Sequence, residues 1–482
     1  MHVNDSNSMT TDRRGFLRQV SGGISAAALL SLLSEDGFVW AGDETGHTSR
    51  RVYDLKPRVP HHAPKAKSII HLFMNGGPSQ MDLFDPKIEL DKKHGKSYFE
   101  KIAGEVENPS TAGALMKSPF KFKQHGASGM WVSEVMPHLA KCVDDIALIR
   151  SMFTTNLTHE PALFKIHSGR TLPGLPSLGT WVTYGLGTVN QNLPAYVVLD
   201  DPKGLPVNLT QNWQAGFLPP VYQGTRFRSK GSPVLDLKPE FQEPASITRL
   251  ERDLISQLDQ LHKSKRPSQP ELGARIASYE LAARMQLAAS DALDLSHESS
   301  ATRTMYGLGE EPTDSYGRRC LIARRLVERG VRFVQLFLEH QPWDNHTGLA
   351  NGIKSSCART DQPIAALLKD LKRRGLLEST LVVWGGEFGR LPIAQGDDGR
   401  DHNKNAMVTW MAGGGIKGGL TYGSTDEIGF AAADQKVSVP DWHATILHLL
   451  GLDYQKLSYY RNGLEEKLTS VFDGRIVKEI VA

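Results

Sequence analysis

Residues 314–338 read DSYGRRCLIARRLVERGVRFVQLFL. Asp314 can cap a helix that stops at Gly330, and Val331–Leu338 follows at once as a strand. Downstream, Asp361 is expected to cap the next helix, with Ile364, Leu367, Leu368 and Leu371 inward and Gly375 as its stop. Thr380–Trp384 is the next strand and Met407–Met411 a third. Strand, helix and strand in this order imply an α/β fold on a mostly parallel sheet with right-handed crossovers. Ligands in such sheets sit at the carboxyl ends of the strands.

Working upstream, Ser68–Met74 is a β-rich run ended by Asn75, Gly76, Gly77 and Pro78. Ile146–Met152 and Ala195–Leu199 read as two further strands. Residues 201–233 carry many Pro, Gly and Asn without period and read as a surface excursion. Ile247, Leu250, Leu254, Leu258 and Leu261 then step by 3, 4, 4 and 3, a single helical face. Pro267 and Pro270 break that run, and a second helix is expected over about 271–290. No internal repeat is evident.

The chain has 482 residues, 40% apolar and 23% charged, which excludes a disordered, coiled-coil or collagen-like chain. Its 56 basic and 53 acidic residues leave +3, so no nucleic-acid partner is expected. Cys142, Cys320 and Cys357 are far apart and make no zinc-ribbon spacing.

Residues 11–33 read TDRRGFLRQVSGGISAAALLSLL. Arg13 and Arg14, then Phe16, Leu17 and a weakly apolar Ala/Ser/Gly run, resemble a twin-arginine export signal over 1–41. Val39, Trp40 and Ala41 offer a cleavage site, and 42–66 read as a polar linker. No later segment reaches 18 uninterrupted apolar residues, so no membrane span is expected in the mature chain. The expected partner is the twin-arginine machinery, and the expected location is periplasmic or extracellular.

Polar groups collect at the strand ends. Asn75, Asp82 and Asp85 follow the first run; Thr154, Thr155, Thr158, His159 and Glu160 follow the second. Glu339, His340, Asp344 and His346 follow Val331–Leu338, and Glu387, Arg390, Asp397, Asp398, Asp401 and His402 follow Thr380–Trp384. Carboxylates and imidazoles gathered from four strand ends suit a hydrolytic site for a divalent cation. A threonine hydroxyl can serve as nucleophile, and Arg390 can pair with a phosphate or sulfate. Several of these residues have plainer readings. Asp85 before Pro86 suits a turn, Asp397 and Asp398 a solvated loop, His340 a strand flank and His448 the core. His443 fits either a core or a site role.

The phrases HLFMNGGPSQMDLFDPK, YGRRCLIARRLVERGVRFVQLF, TLVVWGGEFGRLP, GRDHN and DWHATILHLLG together resemble the exported bacterial family of domain of unknown function 1501, over about residues 65–455. That family looks like a branch of the alkaline phosphatase superfamily. The resemblance implies one α/β domain over 67–482, with an irregular and helical insertion around 201–312 and a one- or two-metal site at the strand ends. It also implies site roles. Asn75 stands where a metal-binding Asp would open the site, leaving Asp82 as the nearest carboxylate. Thr155 fits the nucleophile position ahead of His159, with Thr158 second. Asp344 and His346 resemble the next metal pair, Glu387-Phe388 stands where Asp-His is usual, and His402 matches a later metal histidine.

The implied ligands are Asp82, Asp344, His346, Glu387 and His402, for Zn, Ca, Mg or Mn, with Thr155, His159 and Arg390 as catalytic residues. A formylglycine sulfatase is not implied, because Ile322 stands where that signature needs Pro or Ala and Cys142 and Cys357 fail it outright. The expected function is an exported metal-dependent hydrolase of phosphate or sulfate esters, acting on a small-molecule or polysaccharide ester. The alternative is a non-catalytic periplasmic binding or assembly protein that keeps the fold.

Overall fold

The computed structural model describes residues 53–228, 244–266, 270–469 and 474–482. The expected export signal, with Arg13 and Arg14, and the start of the linker lie outside the described residues. Residues from Tyr53 onward form one unit.

Nine strands build the central sheet: β1 (Ser68–Phe73), β2 (Ile146–Phe153), β3 (Tyr196–Leu199), β4 (Thr225–Arg226), β5 (Phe333–Leu336), β6 (Thr380–Gly385), β7 (Met407–Ala412), β8 (Leu420–Tyr422) and β9 (Val437–Ser438). Their order is β8-β2-β7-β6-β1-β5-β3-β4, with β9 also beside β2. β1 is central and buried along its whole length, pairing in parallel with β5 (Ile69 opposite Phe333) and β6 (Ile69 opposite Leu381). Such strands read as unbroken apolar runs because both faces are covered.

β7 differs from the sequence expectation. It runs antiparallel to both β2 and β6. Between β6 and β7 there is no crossover helix. The chain instead makes a short antiparallel pair, Gly389–Arg390 with His402–Asn403, and re-enters the sheet from the opposite end. A parallel return would need a long crossover.

The longer helices are α1 (His159–Ser168), α2 (Leu178–Leu186), α3 (Ala245–Ser264), α4 (Pro270–Leu293), α5 (Asp314–Glu328), α6 (Leu349–Arg373) and α7 (Val439–Leu449). α5 and α6 pack against each other beside the sheet. Asp361 does not cap a helix: it lies inside α6, which begins at Leu349 and carries Pro363 in its interior. Leu349, Ile353, Cys357, Ile364, Leu367, Leu368 and Leu371 form one continuous buried stripe that holds the helix through the proline. The Asp361 carboxylate instead accepts the backbone N–H groups of His138 and Leu139, each at 2.8 Å. Asp314 is the first residue of α5, not its cap, and pairs with Arg318.

The described part of the expected linker is fastened to the domain. The Arg58 N–H donates to Leu186 O, and those of Lys65 and Ala66 to Leu449 O. Conversely, the apolar stripe of α3 is not inward: Ile247, Leu250, Leu254, Leu258 and Leu261 are all exposed. No helix among the described residues is long and apolar enough to cross a membrane.

Candidate metal centre

Four loops meet at the carboxyl ends of β1, β2, β5 and β6. The first, after β1, is Asn75-Gly76-Gly77, and it must pass close to its neighbours. Gly76 has φ +112°, and a Cβ there would lie 2.7 Å from the Asp344 backbone nitrogen. At Gly77 (φ +75°) a Cβ would strike the Phe388 ring at 2.7 Å.

Asp344, in the loop between β5 and α6, is the hub. Its Oδ1 lies 2.9 Å from His346 Nε2, 3.2 Å from His402 Nε2 and 2.6 Å from Arg390 Nη2. Its Oδ2 lies 3.3 Å from His159 Nε2. His159 opens α1 after the loop that follows β2, and His402 sits in the short pair with Arg390. One donor atom from each of His159, Asp344, His346 and His402 falls within 4.8 Å of the others.

The outer nitrogens of the three rings are also engaged. His159 Nδ1 is 2.7 Å from Glu387 Oε1. His346 Nδ1 faces Gln395 Oε1, whose amide nitrogen donates to Thr111 Oγ1 at 3.2 Å. His402 Nδ1 faces Glu107 Oε2. Each of these partners is an acceptor, so a ring that gave up its inner proton to a cation would keep the other on Nδ1 and turn its Nε2 lone pair inward. The Phe388 ring closes one side, with its centroid 4.8 Å from His159 and 4.5 Å from His402.

The charges follow from this packing. Burial works against ionisation of Asp344, yet hydrogen bonds from His159, His346 and His402 and the charge of Arg390 outweigh it and hold the carboxyl well below its ordinary range. His159 is opposed by burial but lifted to about 9 by Asp344 and Glu387. His346 is raised, chiefly by its hydrogen bond to Asp344. His402 is lowered, first by burial and then by the charges of Arg390 and His159.

The remaining candidates have other partners. Asp82, fully buried, accepts from Arg400 Nε at 2.7 Å and from the Ser79 hydroxyl, outside the cluster. Glu387 is brought to the site, but one oxygen holds His159 and the Gly76 N–H (2.9 Å), while Oε2 is buried with no hydrogen-bond partner among the described residues. Arg390 donates to Gly77 O, Arg400 O, Gly76 O, Trp343 O and Asp344, so its fork is spent on the protein. Thr155 is exposed, its hydroxyl donating to Asn156 Oδ1 at 3.0 Å. Asn75 is a stitch between strand ends, donating to Leu338 O (3.1 Å) and accepting from Leu338 N–H (3.0 Å). Asp85 binds Arg150, Lys87 and Thr425. His443 is a core residue bonded to Ile166 O at 2.8 Å. Asp397 and Asp398 are exposed.

Residues 66–481 match the family described as "Protein of unknown function (DUF1501)". The chain is a DUF1501 protein. No curated protein matches it in sequence. Similar solved structures include the lipoteichoic acid synthase LtaP from Listeria monocytogenes, at 8% identity over 81% of this chain and 74% of that one, with a TM-score of 0.37. Another is the PsFucS1 sulfatase from Pseudoalteromonas sp., at 12% identity over 95% and 74%, with a TM-score of 0.37. A protein in the alkaline phosphatase superfamily from Vibrio parahaemolyticus matches at 10% identity over 96% and 80%, also with a TM-score of 0.37.

Sequence reasoning about this DUF1501 protein missed Glu107 and Gln395. Glu107 lies between a short helical turn and Asn108 in a polar stretch with no period, and nothing local marks it. His159 was legible as a site residue, but not as an equal member of the imidazole ring around Asp344.

Proposed function

We propose that this DUF1501 protein is an exported, metal-dependent hydrolase of phosphate or sulfate esters. One observation carries the reading: three imidazoles turn Nε2 toward Asp344 while Glu387, Gln395 and Glu107 hold the opposite nitrogens. Acceptors behind the rings of ligating histidines are the usual support of a metal site.

His159, His346, His402 and Asp344 would hold the cation. Three nitrogens and a carboxylate favour Zn or Mn over Ca and Mg, which take oxygen ligands. A bound cation would supply Lewis acidity toward an ester oxygen. The chain's own residues do the rest. Arg390 fixes the Asp344 carboxylate, and Phe388 keeps water from one side of His159 and His402. Thr155, four residues ahead of His159 on the loop after β2, supplies the attacking hydroxyl.

A second reading, a metal-holding protein without catalysis, is favoured by Arg390, whose guanidinium is spent on backbone carbonyls and Asp344. Elemental analysis of protein purified without chelator comes first. At least one Zn or Mn per chain is expected, and His402→Ala should lose it. Absence of metal in the wild type would overturn both readings. Aryl phosphate and aryl sulfate assays on the loaded protein then separate them: turnover abolished by Thr155→Ala supports the hydrolase, and no turnover with metal bound supports the second reading.

A further inference from the structure

α3 carries a stripe of exposed apolar side chains. Its apolar side chains range from 45% exposed (Ile247) to 69% (Leu250), with Leu254, Leu258 and Leu261 between 56% and 58% and Ile255 bordering the stripe at 57%. A contiguous apolar face of this kind marks an interaction surface.

Two observations say what covers it. First, the stripe is a palindrome. Steps of 3, 4, 4 and 3 read the same from either end, with Leu254 at the centre. A second copy running antiparallel, related by a two-fold axis at Leu254, sets Ile247 of one copy opposite Leu261 of the other. It likewise sets Leu250 opposite Leu258 and Leu254 opposite itself. An isologous contact needs this self-complementarity. Second, the polar face is balanced: Arg249, Arg252 and Lys263 stand against Glu251, Asp253 and Asp259. A helix that lies on an anionic membrane would be rich in Lys and Arg instead. The area suffices. Two faces on helices about 30 Å long would remove on the order of 1,000 Å2 from water, the lower range of a specific interface.

We propose that the α3 face is a homodimer interface, formed by antiparallel pairing of α3 with the α3 of a second copy about a two-fold axis at Leu254. The contact is independent of the metal centre and of the reaction proposed there.

Sedimentation analysis of the natively purified chain tests it. The wild type is expected to sediment as a dimer. Leu254→Glu, which sets two carboxylates against each other on the axis, is expected to sediment as a monomer with the far-ultraviolet circular dichroism of the wild type. A wild type that stays monomeric, or a Leu254→Glu protein that stays dimeric, overturns the proposal. So does a monomer that co-sediments with phosphatidylglycerol vesicles, which would assign the face to lipid. Cysteine cross-linking reads the geometry without relying on the glutamate variant. Ile247→Cys mixed with Leu261→Cys should cross-link, and neither should do so alone. Cross-linking of Ile247→Cys with itself would mean a parallel pair and overturn the antiparallel one. The native Cys142, Cys320 and Cys357 are buried and do not compete.

Discussion

Asp344 takes three imidazoles and one guanidinium around a single carboxylate. The identity of each imidazole's outer partner then decides which nitrogen is presented inward. Glu107 is the most informative of these partners, because 30% of its side chain is exposed and its removal spares the core. Glu107→Ala should weaken metal affinity about 10- to 100-fold through His402, and Glu107→Gln, which keeps an acceptor, should recover part of it. Titration with a metal indicator reads both, and equal affinity in wild type and Glu107→Ala would rule out the orienting role. Asp82→Asn gives the contrast. Breaking its fully buried pair with Arg400 should cost about 3–5 kcal/mol of stability without changing metal affinity. The sequence could place Asp82 near the site but not show that Arg400 had already claimed it.

At the scale of elements, most strands and helices were legible because burial on both faces writes unbroken apolar runs and burial on one face writes a stripe. The exceptions come from partners far along the chain. Asp361 two residues ahead of Pro363 has the look of a helix start, yet its carboxylate serves His138 and Leu139, more than 200 positions away in sequence. Burial raises the Asp361 carboxyl above its ordinary value, and the two N–H donors oppose that shift. Asp361→Ala should therefore cost about 1–3 kcal/mol in urea unfolding, by leaving the buried Leu139 N–H and the half-buried His138 N–H without their acceptor. Asp361→Asn should cost less, since it keeps one acceptor. Equal stability of wild type and Asp361→Ala would show that water replaces the carboxylate. β7 makes the same point for strand direction. Its residues fit a parallel or antiparallel neighbour equally, and the short Gly389–Arg390 pair upstream decided it.

Across the whole molecule, β1, α1 and α7 bury three histidines together: His71, His167 and His443. Burial lowers His71 and His443 to about 3, and His167 is lowered as well. Unfolded, all three titrate near the ordinary histidine value of about 6.5. Below that pH the unfolded chain binds more protons than the folded one, so stability falls as pH drops from about 6.5 toward 3. Above it these groups are neutral in both states and contribute no slope. Thermal melts should therefore fall steeply on acidification below about pH 6.5. His443→Gln, which keeps a donor for Ile166 O, should soften that fall, and an unchanged slope would exclude His443 as a contributor.

The α/β class, the run of strands and helices, and the carboxyl-end loops that carry Asp344, His346, Glu387 and His402 are all written in the order of residues along the chain. These follow from local periodicity and strand-end composition, which depend on neighbours a few residues away. That order also records the apolar stripe of α3, though not that the stripe faces outward. Which polar groups were left free for chemistry depended on how the loops pack together. Asp82 and Arg390 were claimed by buried partners, Asn75 became a stitch between strands, and Glu107 came in from a distant segment to hold His402. Most buried polar groups find a partner. That partner is set by which loops meet in space, and spacing along the chain does not record it.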